Sequence, residues 1–154
     1  MENDYDPVGG HTKEEAEAAY AGLFEELHGV QEVRRERVAV VYSGDSDVDG
    51  KAAAVAYARL KNEIDTAREY VPCAVDEGAR VISFSGCHPY GADCTFVYEV
   101  YIDKGVVPDA RTAEELCKGI VSGTDSFRSE TTTREDRIAC AALANIAGID
   151  LTQI

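Results

Sequence analysis

Apolar positions along the chain recur at two different periods, and the switches between them mark its elements. In "HTKEEAEAAYAGLFEELHGV", Ala16, Ala19, Tyr20, Leu23, Phe24 and Leu27 share one face at the 3.6-residue period. Thr12 and Glu15 have capping-box spacing and Gly29 is a stop, which predicts a helix over 12–28. The short apolar run in "RVAVVY" predicts a strand near 37–42. "VDGKAAAVAYARLKNEIDTAREYV" predicts the longest helix, ending before Pro72, with Ala53, Val55, Ala56, Leu60, Ile64 and Ala67 on its apolar face. "ARVISFSG" and "DCTFVYEVYID" read as two strands, because Phe96, Tyr98, Val100 and Ile102 alternate. His88, Pro89, Tyr90 and Gly91 between them supply turn chemistry, so a β-hairpin is expected over about 79–103. "ARTAEELCKGIVSG" predicts a helix capped by Thr112 with Glu115 three residues on. "TTREDRIACAALANIAGI" predicts a closing helix, with Thr132 and Glu135 as capping box and Gly148 as stop.

This order of elements defines an α/β domain, with α+β also compatible. It would have four helices around a small sheet of three or four strands. Residues 1–11 lack periodicity and read as a flexible tail, leaving 12–154 as one domain. So small a sheet, with helices to cover, favours a homo-oligomer.

Charge narrows the partners. The 154 residues carry 29 acidic and 15 basic side chains, a net charge of −14, which disfavours direct nucleic-acid binding. An acidic surface of this kind suits docking on a basic host protein, or mimicry of nucleic acid. No run approaches the roughly 20 apolar residues of a membrane span, and the polar, acidic N-terminus lacks the form of a secretory signal. A cytoplasmic protein without membrane contact is expected. An odd count of five cysteines then points to free thiols, with Cys117 and Cys140 as small buried hydrophobes.

Three clusters could carry chemistry. In "YSGDSDVDGK", Asp45, Asp47 and Asp49 occupy alternate positions before Gly50. They match the first half of a calcium loop, but Ala56 stands where the bidentate glutamate belongs. A haloacid-dehalogenase-type nucleophile would follow the strand directly, whereas Ser43 and Gly44 intervene. The remaining readings are a weak divalent-metal site on all three aspartates, or a helix-capping loop at the carboxyl end of a strand, where α/β proteins bind ligands. In the second cluster, Cys87, His88 and Cys94 lie close in sequence, with Cys73 as a more distant fourth ligand, but without zinc-site spacing. The third is a set of arginines and tyrosines suited to phosphate and base: Arg34, Arg35, Arg37, Tyr90, Tyr98, Tyr101, Arg128, Arg134 and Arg137.

The last helix, over residues 134–151, resembles the C-terminal endings of small phage-encoded accessory proteins. The likeness rests on Arg137, Ile138, Ala139, Cys140, Asn145, Ala147, Gly148 and Ile149, and departs at Ala141, Ala142 and Leu143. It implies a viral, non-enzymatic binding protein that evades host defence by sequestering a nucleotide-like small molecule between subunits, with no cofactor. The arginine and tyrosine set would hold that molecule. The alternatives are the acidic inhibitor of a basic host protein, and a divalent-metal-dependent hydrolase using Asp45, Asp47 and Asp49.

Overall fold

The structure, a computed structural model, describes residues 35–74 and 80–153. The expected tail, the helix over 12–28 and Arg34 lie outside the described residues.

The α/β expectation holds. Strands β1 (Glu36–Val41), β2 (Arg68–Cys73) and β3 (Arg80–Ser83) form a three-stranded sheet in the order β2-β1-β3. β1 and β3 run parallel, Val38 facing Arg80 and Val41 facing Ser83. β2 ends beside the end of β1, where Tyr42 N–H donates to the Cys73 carbonyl, so all three strands point the same way. Val38, Ala39 and Val40 are all buried, as a central strand covered on both faces requires.

Helix α1 (Val48–Ile64) starts at the Asp47 cap and makes the crossover from β1 to β2. Its buried face is nearly all alanine: Ala53, Ala54, Ala56 and Ala58, with Leu60. Small side chains let neighbours come close on two sides. Helices α2 (Asp93–Asp103) and α3 (Ala110–Gly123) pack on α1, α4 (Arg134–Ala147) packs on α2 and α3, and a 3₁₀ turn follows at Leu151–Gln153. Arg37–Ile154 cluster as one compact unit, and no helix among the described residues is long and apolar enough to cross a membrane.

The structure corrects the hairpin expected over 79–103. Only its first limb is a strand, β3, and "DCTFVYEVYID" is the helix α2. The alternating Phe96, Tyr98 and Val100 are half-buried and Ile102 is exposed, while Cys94, Val97 and Tyr101 are buried. Those three positions follow helical spacing. The β-formers are overridden because the first turn of α2 is held by carboxylates from two other helices, described below.

Helix α1 also ends earlier than expected. Asp65 closes it by accepting from Ala67 N–H, the Arg68 guanidinium and the Tyr70 hydroxyl. Asn62 then exchanges two hydrogen bonds with the Tyr70 backbone, at 2.8 and 3.0 Å, which launches β2 in place of a further turn. Ala67, expected on the apolar face, is exposed.

Two caps shift. Asp109 rather than Thr112 caps α3, accepting from Thr112 N–H at 2.8 Å, while the Thr112 hydroxyl is buried and accepts from Arg59. Thr133 and Asp136 form the capping box of α4, one residue beyond Thr132 and Glu135. Gly148 stops α4 as expected, in the left-handed conformation at φ 71°.

Candidate functional site

A cleft of about 570 Å³ opens at the carboxyl ends of β1 and β3, where α/β sheets place ligands. Ser43 and Asp47 reach it from the β1–α1 loop, and Ser83, Ser85, His88, Tyr90 and Asp93 from the end of β3 and the loop into α2.

The three opening aspartates diverge. Asp45 is largely exposed and pairs with Lys51 at 3.3 Å, away from the cleft. Asp47 caps α1, its Oδ1 accepting from Gly50 N–H at 2.8 Å and its Oδ2 from the Ser43 hydroxyl at 2.7 Å. Burial works to raise its carboxyl, but these donors outweigh it and hold the group below its ordinary value. Asp49 turns inward, accepting from the backbone N–H groups of Asp93 and Cys94 at 2.8 and 2.9 Å. Burial pushes its carboxyl up to about 6 even against those two amides.

Asp136 completes the arrangement from α4. It is fully buried and accepts from Gly91 N–H, Ala92 N–H, the Thr95 hydroxyl, and both the backbone N–H and hydroxyl of Thr133. The N-cap of α2 is Ala92, which has no side chain to offer. The amides of residues 91–94 are therefore satisfied by two carboxylates from other helices, which also meet the positive end of the helix. Burial opposes the charge on Asp136, but the Thr95 hydroxyl and the amides hold it below the ordinary carboxylate value. Glycines make room for this. A Cβ on Gly123 would lie 2.6 Å from Asp49 Oδ2, and one on Gly119 would collide with Cys94 Sγ.

His88 is fixed on both sides. Its Nδ1 accepts from Tyr90 N–H at 3.1 Å, so the ring proton sits on Nε2 and is donated to Asp93 Oδ1 at 2.7 Å. The ring stacks between Tyr90 and Phe96. With both nitrogens engaged, His88 orients Asp93 rather than binding a metal or acting as a base. Cys87 is exposed nearby, while Cys94 is buried with its thiol on the Asp49 carbonyl at 3.3 Å, so no zinc set with Cys73 assembles.

Of the described members of the arginine and tyrosine set, only Tyr90 lines the cleft. Tyr98 is half-buried against the core, and Tyr101 is buried with its hydroxyl on the Ala56 carbonyl. Arg35, Arg37 and Arg134 are exposed. Arg128 bonds Asp125, and Arg137 reaches the Phe127 carbonyl and lies over its ring. Asp93, Asp136, Ser83 and Ser85 escaped the sequence reading. The Thr-x-x-Asp box at Thr133 was the available signal for Asp136.

No family model matches the chain. It is 42% identical over 62 residues to a protein of Clostridium acetobutylicum described as a manganese-dependent inorganic pyrophosphatase, a match covering 40% of this chain and 20% of that protein. A Streptococcus suis protein of the same description is 30% identical over 101 residues, 61% of this chain and 32% of the relative. A Clostridium perfringens cobalt-dependent inorganic pyrophosphatase is 39% identical over 61 residues, 40% of this chain and 11% of the relative. The chain thus spans a third or less of the length of these relatives. Among solved structures, one of Methanococcus jannaschii, described as a family II inorganic pyrophosphatase, shares the fold at a TM-score of 0.51 and 17% identity, over 74% of this chain and 57% of that one.

These findings overturn two expectations. The relatives are hydrolases, which displaces the non-enzymatic, nucleotide-sequestering viral protein and favours the hydrolase alternative. They are also manganese- or cobalt-dependent, against the expectation of no cofactor. The donor set of this chain is only partial. Among the described residues no three histidine, cysteine, aspartate or glutamate side chains converge on one cation. Asp49 is spent on α2, leaving the Asp47 and Asp93 carboxylates at the cleft. The described residues therefore do not close a resident manganese or cobalt centre.

Proposed function

We propose that the chain carries the substrate cleft of a hydrolase of the inorganic-pyrophosphatase type, and that its substrate is inorganic diphosphate complexed with a divalent cation. The observation that carries this is that Asp47, the cap of α1, and Asp93, the first residue of α2, line one cleft at the carboxyl ends of parallel strands. The hydrolase relatives support it.

Charge argues for the complex over the free anion. A chain of net charge −14, with two carboxylates lining the cleft, repels bare diphosphate. A cation already ligated by phosphate oxygens needs only one or two protein carboxylates. Asp47 meets that need, and the hydroxyls of Ser83 and Ser85 line the cleft as donors to phosphate oxygens. His88 fixes Asp93 through Oδ1. The other carboxylate oxygen can then accept a proton from the water that attacks phosphorus, with the second phosphate as leaving group.

Phosphate release from diphosphate, measured with manganese, cobalt or magnesium and again after EDTA, tests this. Release should require the cation. Asp93→Asn should lower it on the order of 10²-fold, as loss of a proton acceptor does. Absence of release under every cation, or rates unchanged in both Asp47→Asn and Asp93→Asn, would contradict it.

A further inference from the structure

Cys117 on α3 and Cys140 on α4 are both fully buried, and their sulfurs lie 3.1 Å apart. That is about 1 Å longer than a disulfide bond. The contact is reciprocal: the Cys117 thiol faces the Cys140 carbonyl at 3.5 Å, and the Cys140 thiol faces the Cys117 carbonyl at 3.8 Å. Each sulfur thus already points at the other residue, so a small side-chain rotation closes the gap. The other three cysteines sit elsewhere: Cys73 in β2, Cys87 exposed in the loop after β3, and Cys94 bonded to the Asp49 carbonyl.

A second feature lies between the same two helices. Asp125, Ser126 and Phe127 all have positive φ, 49°, 54° and 66°, and none is glycine. A left-handed run of this kind is strained. It is held by bonds on every side. The Thr124 hydroxyl donates to the Ile120 carbonyl and accepts from Phe127 N–H, Ser126 N–H donates to the Val121 carbonyl, and Arg137 grips the Phe127 carbonyl. All of these bonds but the one from Arg137 tie the junction to the end of α3, and Arg137 joins it to α4.

We propose that Cys117 and Cys140 are an oxidation site, at which a peroxide links α3 to α4 by a disulfide. The Cys117 thiolate attacks a peroxide oxygen, giving a sulfenic acid and releasing hydroxide, which takes up a proton. The Cys140 thiol then attacks the sulfenic sulfur and water leaves. In sum, two thiols and one hydrogen peroxide give one disulfide and two waters. Cys140 can equally attack first, because either sulfur can donate the hydrogen bond the two share. The link would clamp α3, whose Gly123 lies against Asp49, to α4, whose Asp136 holds the amides before α2.

The test uses the full chain in its folded state. It is treated with hydrogen peroxide, alkylated, digested without reductant and mapped by mass spectrometry. The expected result is a linked pair of peptides carrying Cys117 and Cys140, a loss of about 2 Da in the intact mass reversed by dithiothreitol, and a rise in Tm of about 5–10 °C. The double variant Cys117→Ala/Cys140→Ala, which keeps the site apolar, should show neither the mass change nor the rise. Oxidation confined to Cys87, or links that involve only Cys73, Cys87 or Cys94, would overturn the proposal. The mapping of the unaltered chain decides the question even where the variant folds poorly.

Discussion

At the scale of single residues, two aspartates do opposite electrostatic work at the start of α2. Asp136 is buried but surrounded by five donors, so its charge is stabilised. Removing it leaves the part-buried amide of Gly91 and the buried amide of Ala92 without acceptors. Asp136→Ala should cost about 3 kcal/mol or more, seen as a lower urea midpoint at unchanged slope. Asp49 has only two backbone donors to set against burial, and its carboxyl is pushed up from 3.8 to about 6. The folded state then holds a proton that the unfolded state has released between about pH 4 and 6. Its contribution is present below about pH 4 and is lost as pH rises through 6, by at most about 3 kcal/mol. Asp136, held below its ordinary value, acts the other way: its contribution is present above that value and is lost on acidification. The difference in Tm between the wild-type chain and Asp49→Asn should therefore move against the wild type from pH 4 to pH 7. A difference independent of pH would show that Asp49 is ionised throughout.

At the scale of elements, the sequence was readable wherever the local signal and the tertiary contacts agree. β1 was legible because its apolar run is buried on both faces, and the closing helix because its cap and Gly148 stop are local. α2 was not legible. Its alternating Phe96, Tyr98 and Val100 carry a strand pattern, and what makes it helical comes from Asp49 and Asp136, more than 40 residues away. The end of α1 was obscured for a similar reason. Asp65 and Asn62 reach forward to Tyr70, a pairing that no helical period discloses. The packing of α3 against Asp49 at the start of α1 gives a further prediction. Gly123→Ala would place a methyl group 2.6 Å from Asp49 Oδ2 and push the carboxylate off its amides. It should destabilise the chain by about 1–3 kcal/mol and speed hydrogen exchange at Asp93 and Cys94. Unchanged exchange at those two amides would mean that the α3–α1 spacing adapts.

For the whole molecule, the strong acidity and the scattered arginines both suggested a surface that binds other molecules. The fold assigns the chemistry differently. The parallel sheet gathers residues from separate segments at one end, and of the described members of the arginine and tyrosine set only Tyr90 arrives there. Asp47 was visible in its motif, while Asp93 was hidden within an apparent strand, because convergence is a property of topology and not of spacing. The same acidity makes the cation part of the recognition. Calorimetric titration of the chain with a non-hydrolysable diphosphate analogue, with and without manganese, tests this most directly. Binding is expected only when manganese accompanies the analogue, weakened about tenfold or more by Asp47→Asn. Equal binding of the analogue without any cation, or none with it, would contradict the account.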